Sequence, residues 1–263
     1  MALKFVNNIK KLIELHRMNL ASPYHEYFKM VLADTEDLKQ ESFKLRYDVY
    51  CAELGWEDPA TFPDGLETDE FDPWSEHCLL FHRSTDQFAG TVRLVKTHPD
   101  FPDQGIPMVA HYDGEFWDTP HNPHNMPLGS YGEISRLALL HMFRKRAGER
   151  ETPDGQGQEL FEWSQTERRR FPHIALGLYL SAATAGLSQG MTGVYAMMEP
   201  RLARHLRFAG IKFEQVGDPI EFRGKRAPYY ISRDTLLKSL VKPLRGLLYA
   251  IAEDLKVNLK KRF

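Results

Sequence analysis

The spacing of hydrophobic positions changes several times along the chain, and each spacing predicts one kind of element. Apolar residues at helical intervals predict helices over residues 1–17, 36–50, 173–190 and 201–210. Short β-rich runs predict strands over residues 77–83, 88–97, 131–140, 194–200, 211–217 and 229–232. Strands alternate with helices in the second half, which indicates a parallel or mixed sheet covered by helices, so we expect an α/β or α+β fold.

Three segments lack either periodicity and are expected to be irregular. Residues 52–76 carry nine acidic residues, no Lys or Arg, and three prolines. Residues 98–130 hold six of the sixteen prolines, which predicts a long loop between two strands. Residues 144–172 form a polar insertion. Long loops of this kind often carry functional residues.

A final apolar pattern follows Asp234 and predicts an amphipathic helix that Pro243 kinks or divides. From residue 238 onward the segment has seven basic and two acidic residues. This composition fits a helix lying on a membrane surface. It fits equally an amphipathic helix packed on the core with a solvated basic side.

The overall composition is that of an ordinary soluble globular protein. The 263 residues carry 34 basic and 36 acidic side chains, a net charge of -2, and 42% are hydrophobic. This argues against disorder, collagen-like repeats and nucleic-acid binding. Two cysteines suit a reducing compartment, and no apolar stretch is long enough to span a bilayer. We therefore expect a cytoplasmic protein, with peripheral contact to the inner membrane left open by the basic tail.

Charged residues inside apolar strands are the first sign of chemistry. Arg93 and Arg136 emerge from runs that should be buried, and a buried guanidinium group requires a carboxylate partner. Strand alternation places Glu133 and Ser135 on one face, and Ile134 and Arg136 on the other, unless a bulge intervenes.

Five motifs in a fixed order make the pattern specific. They are Arg46-x-x-Val49-Tyr50, Leu54-Gly55-Trp56, Gly65-x-Glu67-x-Asp69-x-x-Asp72, Gly90-x-x-Arg93-Leu94 and Glu133-x-Ser135-Arg136. Together they resemble the acyl-homoserine-lactone synthases and the long-chain N-acyl amino acid synthases of the GNAT superfamily. The resemblance covers roughly 190 residues. It is strongest to the acyltransferases that accompany PEP-CTERM/exosortase systems.

This resemblance implies a fold, a domain plan and a reaction. The implied fold is GNAT-like, a bent mixed sheet flanked by helices. Residues 1–35 would form an N-terminal helical extension, 36–232 the acyltransferase domain and 233–263 a basic amphipathic tail. The implied reaction moves a fatty acyl group from a thioester to a small amine, such as an amino acid or a homoserine-lactone-like acceptor. Tyr50, where many lactone synthases have Phe, and the long 98–130 loop leave the acceptor open.

The resemblance also assigns roles to individual residues. Glu133 and Ser135 would be catalytic, Glu133 as the general base for the attacking amine and Ser135 as a contact to the pantetheine sulfur or acyl carbonyl. The substrate-binding set would be Arg46, Trp56, Asp69, Asp72, Arg93 and Arg136. The alternative is that these charges form a structural ion-pair network that holds residues 52–76 against the sheet.

The segment before the predicted 173–190 helix indicates the kind of acyl donor. Many CoA-dependent GNAT enzymes have a glycine-rich phosphate loop there, and this chain lacks its glycine pair. Basic residues at both ends of the insertion predict docking of an acidic acyl carrier protein, although neighbouring acids make a solvated charged loop the alternative. The predicted docking residues are Arg144, Lys145, Arg168, Arg169 and Arg170. We expect acyl-ACP or acyl-CoA as a donor substrate and no tightly bound cofactor.

Two other functions are consistent with the sequence. One is a CoA-dependent acetyltransferase, and the other is a non-catalytic acyl- or lipid-binding module with the same fold. A metal site is not expected, because His121 and His124 lie in a Pro- and Asn-rich loop without a further ligand at a defined spacing.

Overall fold

The computed structural model describes residues 19–143 and 174–259. The helix predicted over residues 1–17 and the insertion at 144–172 lie outside these residues. So do the five predicted carrier-docking residues and the last four residues of the basic tail.

Eight strands form one bent sheet in the order β1-β2-β3-β4-β5-β8-β6, with β7 paired to β8. Among the described strands only β4 and β5 run parallel, and all other neighbours are antiparallel. The fold class predicted from the sequence is confirmed as mixed α/β with a mostly antiparallel sheet. The strands are β1 (Phe28–Leu32), β2 (Ser75–His82), β3 (Gln87–Lys96), β4 (Tyr131–Leu139), β5 (Gly193–Met198), β6 (Glu214–Gln215), β7 (Ile220–Glu221) and β8 (Lys225–Ser232).

Seven α-helices accompany the sheet in the described part of the chain. They are α1 (Ala21–Tyr27), α2 (Glu36–Tyr47), α3 (Pro107–His111), α4 (Ile174–Ser188), α5 (Pro200–Phe208), α6 (Arg233–Ser239) and α7 (Lys242–Asp254). A π-helical turn, Asp48–Glu53, continues α2 without a break. Short 3-10 turns lie at Pro59–Thr61, Asp72–Trp74, Pro123–Asn125 and His141–Phe143.

Helix α4 forms the centre of the main core. It is apolar on all sides, because it packs on β2, β3 and β4 with one side and on α7 with the other. Gly190 and Gly210 adopt positive φ angles of 79° and 83° directly after α4 and α5. Glycine reaches this conformation without steric cost, so both helices end where the sequence predicts.

The sequence locates most elements but differs from the structure at three strands. Residues 28–32, expected within a helical extension, form the edge strand β1, which pairs with β2. Residues 211–217, expected to form one strand, contribute only the two-residue β6. The predicted strand at 229–232 is instead the longer β8, which lies between β5 and β6.

The C-terminal helix packs on the core. Pro243 lies in the first turn of α7, so it divides the segment into two helices rather than kinking one. The apolar side of α7 contacts α1, β1 and α4. In addition, the Tyr24 hydroxyl donates to Asp254 Oδ2 over 2.5 Å. This arrangement matches the packed-helix interpretation of the tail. Within the described residues, no helix has both the length and the apolar character needed to cross a bilayer.

We expect Leu247→Ala to lower the free energy of unfolding by about 2–5 kcal/mol, because Leu247 is fully buried in this core. The measurement is urea unfolding followed by circular dichroism. Lys242→Ala, at an exposed position of the same helix, is the control and should change stability by less than about 0.5 kcal/mol. An equally small effect of both variants would contradict the packing of α7.

Candidate functional site

A bulge in β4 sets which side chains face the site. Arg93 pairs with Ser135 and Thr91 pairs with Ala138, so β4 has one residue more than β3 between these positions. Arg136 lies in this bulge with a φ of 48°, an uncommon conformation for a residue other than glycine. The extra residue places Arg136 on the same face as Ser135. The alternation expected for an unbroken strand, with Arg136 opposite Ser135, therefore does not hold.

Three guanidinium groups and three carboxylates form one buried network on this face. Arg46 Nε donates to Glu67 Oε2, and Arg46 Nη1 donates to Asp72 Oδ1 over 2.6 Å. Arg93 Nη1 binds both Asp69 and the same Asp72 oxygen.

Arg136 and Ser135 complete the network. Arg136 Nε donates to Glu67 Oε1 over 3.0 Å, and Arg136 Nη2 lies 3.1 Å from Asp69 Oδ2. Arg93 Nε donates to Ser135 Oγ over 3.1 Å. Ser135 is thereby fixed beside the ion pairs with its own hydroxyl proton still free to donate.

The network attaches the acidic loop to the sheet. Its three carboxylates all come from residues 52–76, whereas its guanidinium groups come from α2, β3 and β4. The pKa of Asp72 lies well below its ordinary value because Arg46 and Arg93 outweigh the effect of burial. The pKa of Asp69 is lowered by Arg93 and Arg136. The structural role that the sequence left as an alternative is thus present in the geometry.

A neutral histidine, His77, lies next to Asp72 of the network. His77 is buried, and its Nε2 lies 3.6 Å from Asp72 Oδ1 while its Nδ1 lies 3.3 Å from the Ser42 hydroxyl. Burial, reinforced by the charge of Arg46, lowers the pKa of His77 to about 3. The imidazole therefore adds no fourth positive charge at neutral pH.

Glu133 lies on the same face but outside the ion pairs. Its side chain is 3% exposed, and its Oε2 accepts a hydrogen bond of 2.6 Å from the Met108 backbone N–H of α3. Burial raises the pKa of Glu133 to about 7, although this hydrogen bond and the charges of Arg93 and Arg136 oppose the shift. A carboxyl group with this pKa exchanges its proton readily at neutral pH.

The sheet opens next to Glu133. Parallel pairing of β4 and β5 comprises three pairs and ends at Glu133 with Tyr195. Strand β4 continues to Leu139 and β5 to Met198 without further pairing between them. The two strands diverge there, and the backbone groups of β4 that face β5 are not used in a ladder.

Trp56 lies apart from the ion pairs. Its ring stacks on Tyr50, with 6.1 Å between centroids and 18° between planes. The Arg136 guanidinium carbon lies 6.0 Å from the centroid of the Tyr50 ring, and the Tyr50 hydroxyl donates to the Leu137 carbonyl on β4. Tyr50 is therefore the link between Trp56 and the network.

The structure brings most predicted site residues together. Six of the eight join in one network, Glu133 lies beside it, and Trp56 is connected through Tyr50. The sequence underrates Glu67, which binds both Arg46 and Arg136. Its position in the Gly65-x-Glu67-x-Asp69 motif is the signal that could have identified it. Within the described residues no group of three or more His, Cys, Asp or Glu side chains is arranged to hold a metal ion.

Comparison with known proteins concerns the fold rather than the individual site residues. Residues 45–152 match the model of the acetyltransferase (GNAT) domain family. A search of curated proteins gives no match.

Solved structures resemble the whole fold. TofI, in a ternary complex with an inhibitor and MTA, aligns with a TM-score of 0.54 at 14% identity, covering 82% of this chain and 96% of TofI. BjaI, a CoA-dependent acyl-homoserine lactone synthase with SAM and isopentyl-CoA, aligns with a TM-score of 0.52 at 19% identity, covering 88% and 99%. MesI, another CoA-dependent synthase of this type, aligns with a TM-score of 0.51 at 16% identity, covering 86% and 95%. These neighbours show the fold of this chain, and the domain match agrees with a GNAT-like fold.

We expect Asp72→Asn to lower the free energy of unfolding at pH 7 by about 3–5 kcal/mol, because it leaves Arg46 and Arg93 without a shared buried counter-charge. The contribution of Asp72 is present above its unfolded pKa of about 4 and is lost as pH falls through its lower folded pKa. The difference between wild type and variant should therefore shrink from pH 7 to pH 3. Urea titrations at several pH values measure it.

The matched control is Glu70→Gln in the same loop, where the side chain is exposed. This change should alter stability by less than about 0.5 kcal/mol. A loss below about 1 kcal/mol for Asp72→Asn at pH 7 would show that the network does not hold the loop.

Proposed function

We propose that the protein is an N-acyltransferase that moves a fatty acyl group from a thioester to a small amine. One observation carries the proposal: a buried carboxyl group, Glu133, with a pKa near 7, lies where the parallel strands β4 and β5 part. Acyl transfer to an amine requires a base and a place for the thioester, and both would lie together at this point.

Glu133 acts as the general base in this proposal. An attacking amine must lose a proton, and a carboxylate with a pKa near 7 accepts it at neutral pH, directly or through one water. The Met108 N–H holds one carboxylate oxygen in place, so Glu133 Oε1 is the oxygen that receives the proton. Met108 belongs to α3 in the 98–130 loop, which therefore takes part in orienting the base.

The diverging strands receive the thioester. Backbone N–H groups of β4 after Glu133 that face β5 can donate to the thioester carbonyl as negative charge develops on its oxygen. The Ser135 hydroxyl, fixed by Arg93, is a second donor near the same point. Arg46, Asp69, Asp72, Arg93 and Arg136 then serve substrate binding through the shape and charge of the site that their network maintains.

The donor and the setting rest on the sequence. We propose acyl carrier protein as the donor, docked by Arg144, Lys145, Arg168, Arg169 and Arg170. The resemblance to acyltransferases of PEP-CTERM/exosortase systems extends the proposal to a cytoplasmic role in that setting. Because α7 buries its apolar side, we propose that a contact of this helix with the inner membrane would use its exposed basic residues, Lys242 and Arg245.

We expect Glu133→Gln to reduce kcat by 100-fold or more, within the range of about 10²–10⁴ that general bases contribute. For wild type, kcat/KM should rise with pH up to about 7, as Glu133 ionises, and this limb should be absent in the variant. The assay combines long-chain acyl-ACP with pooled amino acids and homoserine lactone and detects acylated products by mass spectrometry.

Stability provides a second readout for the same variant. A raised folded pKa means that ionisation of Glu133 weakens the fold as pH increases from about 4.5 to about 7. Glu133→Gln should therefore gain stability over wild type across this range, by at most about 1.4 kcal/mol per pH unit. Glu115→Gln, an exposed carboxylate in the 98–130 loop, is the control and should change neither rate nor stability. A folded Glu133→Gln protein with the parental rate would exclude Glu133 as the base.

The donor assignment is tested by reversing charge. Replacing Arg168, Arg169 and Arg170 by Glu should lower kcat/KM for acyl-ACP by about tenfold, because complementary charge steers association. The kcat/KM for acyl-CoA should stay unchanged. The control replaces the exposed arginines Arg201, Arg204 and Arg207 of α5 in the same way. Wild-type transfer from acyl-CoA at least as efficient as from acyl-ACP would refute carrier docking.

A further inference from the structure

A second charged cluster lies against the Trp56 ring. The guanidinium carbons of Arg223 and Arg226 each lie 5.6 Å from the centroid of the Trp56 ring. Both arginines belong to the hairpin formed by β7 and β8. None of the motifs in the sequence includes them, since they lie almost ninety residues after Glu133-x-Ser135-Arg136.

The positive charge of this cluster is only partly matched. Arg223 Nη2 donates to Glu57 Oε1 over 2.8 Å. Arg226 has no acidic partner among the described residues, and its Nε is buried without a hydrogen-bond acceptor there. A buried donor without an acceptor costs about 1–3 kcal/mol, so such groups in folded proteins usually serve a ligand or water.

The position of Arg226 in the sheet places this donor close to the proposed site. Arg226 precedes Ala227, which pairs with Met198 at the far end of β5. Trp56 is held by Tyr50, which is bonded to Leu137 on β4. The contact between Trp56 and Arg226 therefore links a loop residue that Tyr50 connects to β4 with β8, the strand that pairs with β5, so it lies between elements attached to the two diverging strands.

We propose that Arg226, backed by Trp56 and Arg223, binds an oxyanion of a substrate at the mouth of the acyl-transfer site. The planar guanidinium group donates from two nitrogens and matches a carboxylate or a phosphate. The carboxylate of an amino-acid acceptor and the phosphate of the pantetheine arm of a donor share this chemistry. Only the identity of the substrate rests on the proposed function, because the anion site itself stands on the position of Arg226 beside Trp56 and on the buried Nε that has no acceptor among the described residues.

Direct binding tests the site independently of turnover. Isothermal titration calorimetry would compare two pairs of probes. The first pair is an N-decanoyl amino acid and its neutral amide, and the second is phosphopantetheine and pantetheine. We expect the anionic member of one pair to bind about tenfold or more tightly than its neutral partner, the advantage of a charge-assisted hydrogen bond. The pair that shows the preference identifies acceptor or donor as the source of the oxyanion.

Substitution assigns the preference to Arg226. Arg226→Gln should abolish the preference for the anionic probe and leave the affinity for the neutral probe unchanged. Arg226→Lys keeps the charge but loses the bidentate geometry, so it should retain part of the preference. Lys225→Gln, an exposed cation in the same hairpin, is the matched control and should keep the full preference. Circular dichroism and urea unfolding verify that each variant is folded.

The outcomes separate this inference from the proposed function. A preference that survives in folded Arg226→Gln, or no preference for either anionic probe in wild type, would overturn the anion site. A preference that depends on Arg226 in a protein without acyl-transfer activity would support the anion site while refuting the proposed function. In an active enzyme, Arg226→Gln should raise KM for the anionic substrate about tenfold with little change in kcat.

Discussion

Burial of arginine side chains against one face of the sheet is the constraint on which the rest of the site depends. Arg46 and Arg93 have no exposed surface, so each needs carboxylates within hydrogen-bonding distance. The acidic loop supplies them, and this requirement fixes the path of a segment that has little regular structure of its own. The same bonds hold α2 against β3 and β4. Loop, helix and strands are therefore fixed together, and the shape of the site depends on this shared charge balance.

Glu133 shows how much a small difference in surroundings matters. It shares a face with Asp72, yet the two carboxyl groups have pKa values displaced in opposite directions. Asp72 is bonded to two guanidinium groups. Glu133 accepts one backbone hydrogen bond, and Arg93 and Arg136 act on it only through their charge. Asp72 therefore stays ionised and holds the structure, while Glu133 is free to exchange a proton. Such a separation of roles is a common physical sign of a catalytic site.

The sequence predicts elements and residues whose signal is local, and it fails where the structure depends on distant partners. The β2–β3 hairpin, β4 and α4 follow from their own hydrophobic spacing. Strand β1 does not, because Phe28–Leu32 is short and becomes a strand by pairing with β2. Strand β8 contains Pro228, which argues locally against a strand. The bulge at Arg136 and the approach of Arg226 to Trp56 depend on register and on tertiary contacts, which no local pattern encodes.

The packing of α7 also determines the order in which the molecule can fold. Helix α1 and strand β1, near the start of the described residues, find their apolar partners in α7, more than two hundred positions later. Until α7 has been synthesised, the apolar surface of α1 and β1 that it covers therefore stays exposed. Contacts of such long sequence separation favour slow folding. Helix α7, in the segment whose overall basic composition suggests a membrane tail, thus covers apolar surface of the core.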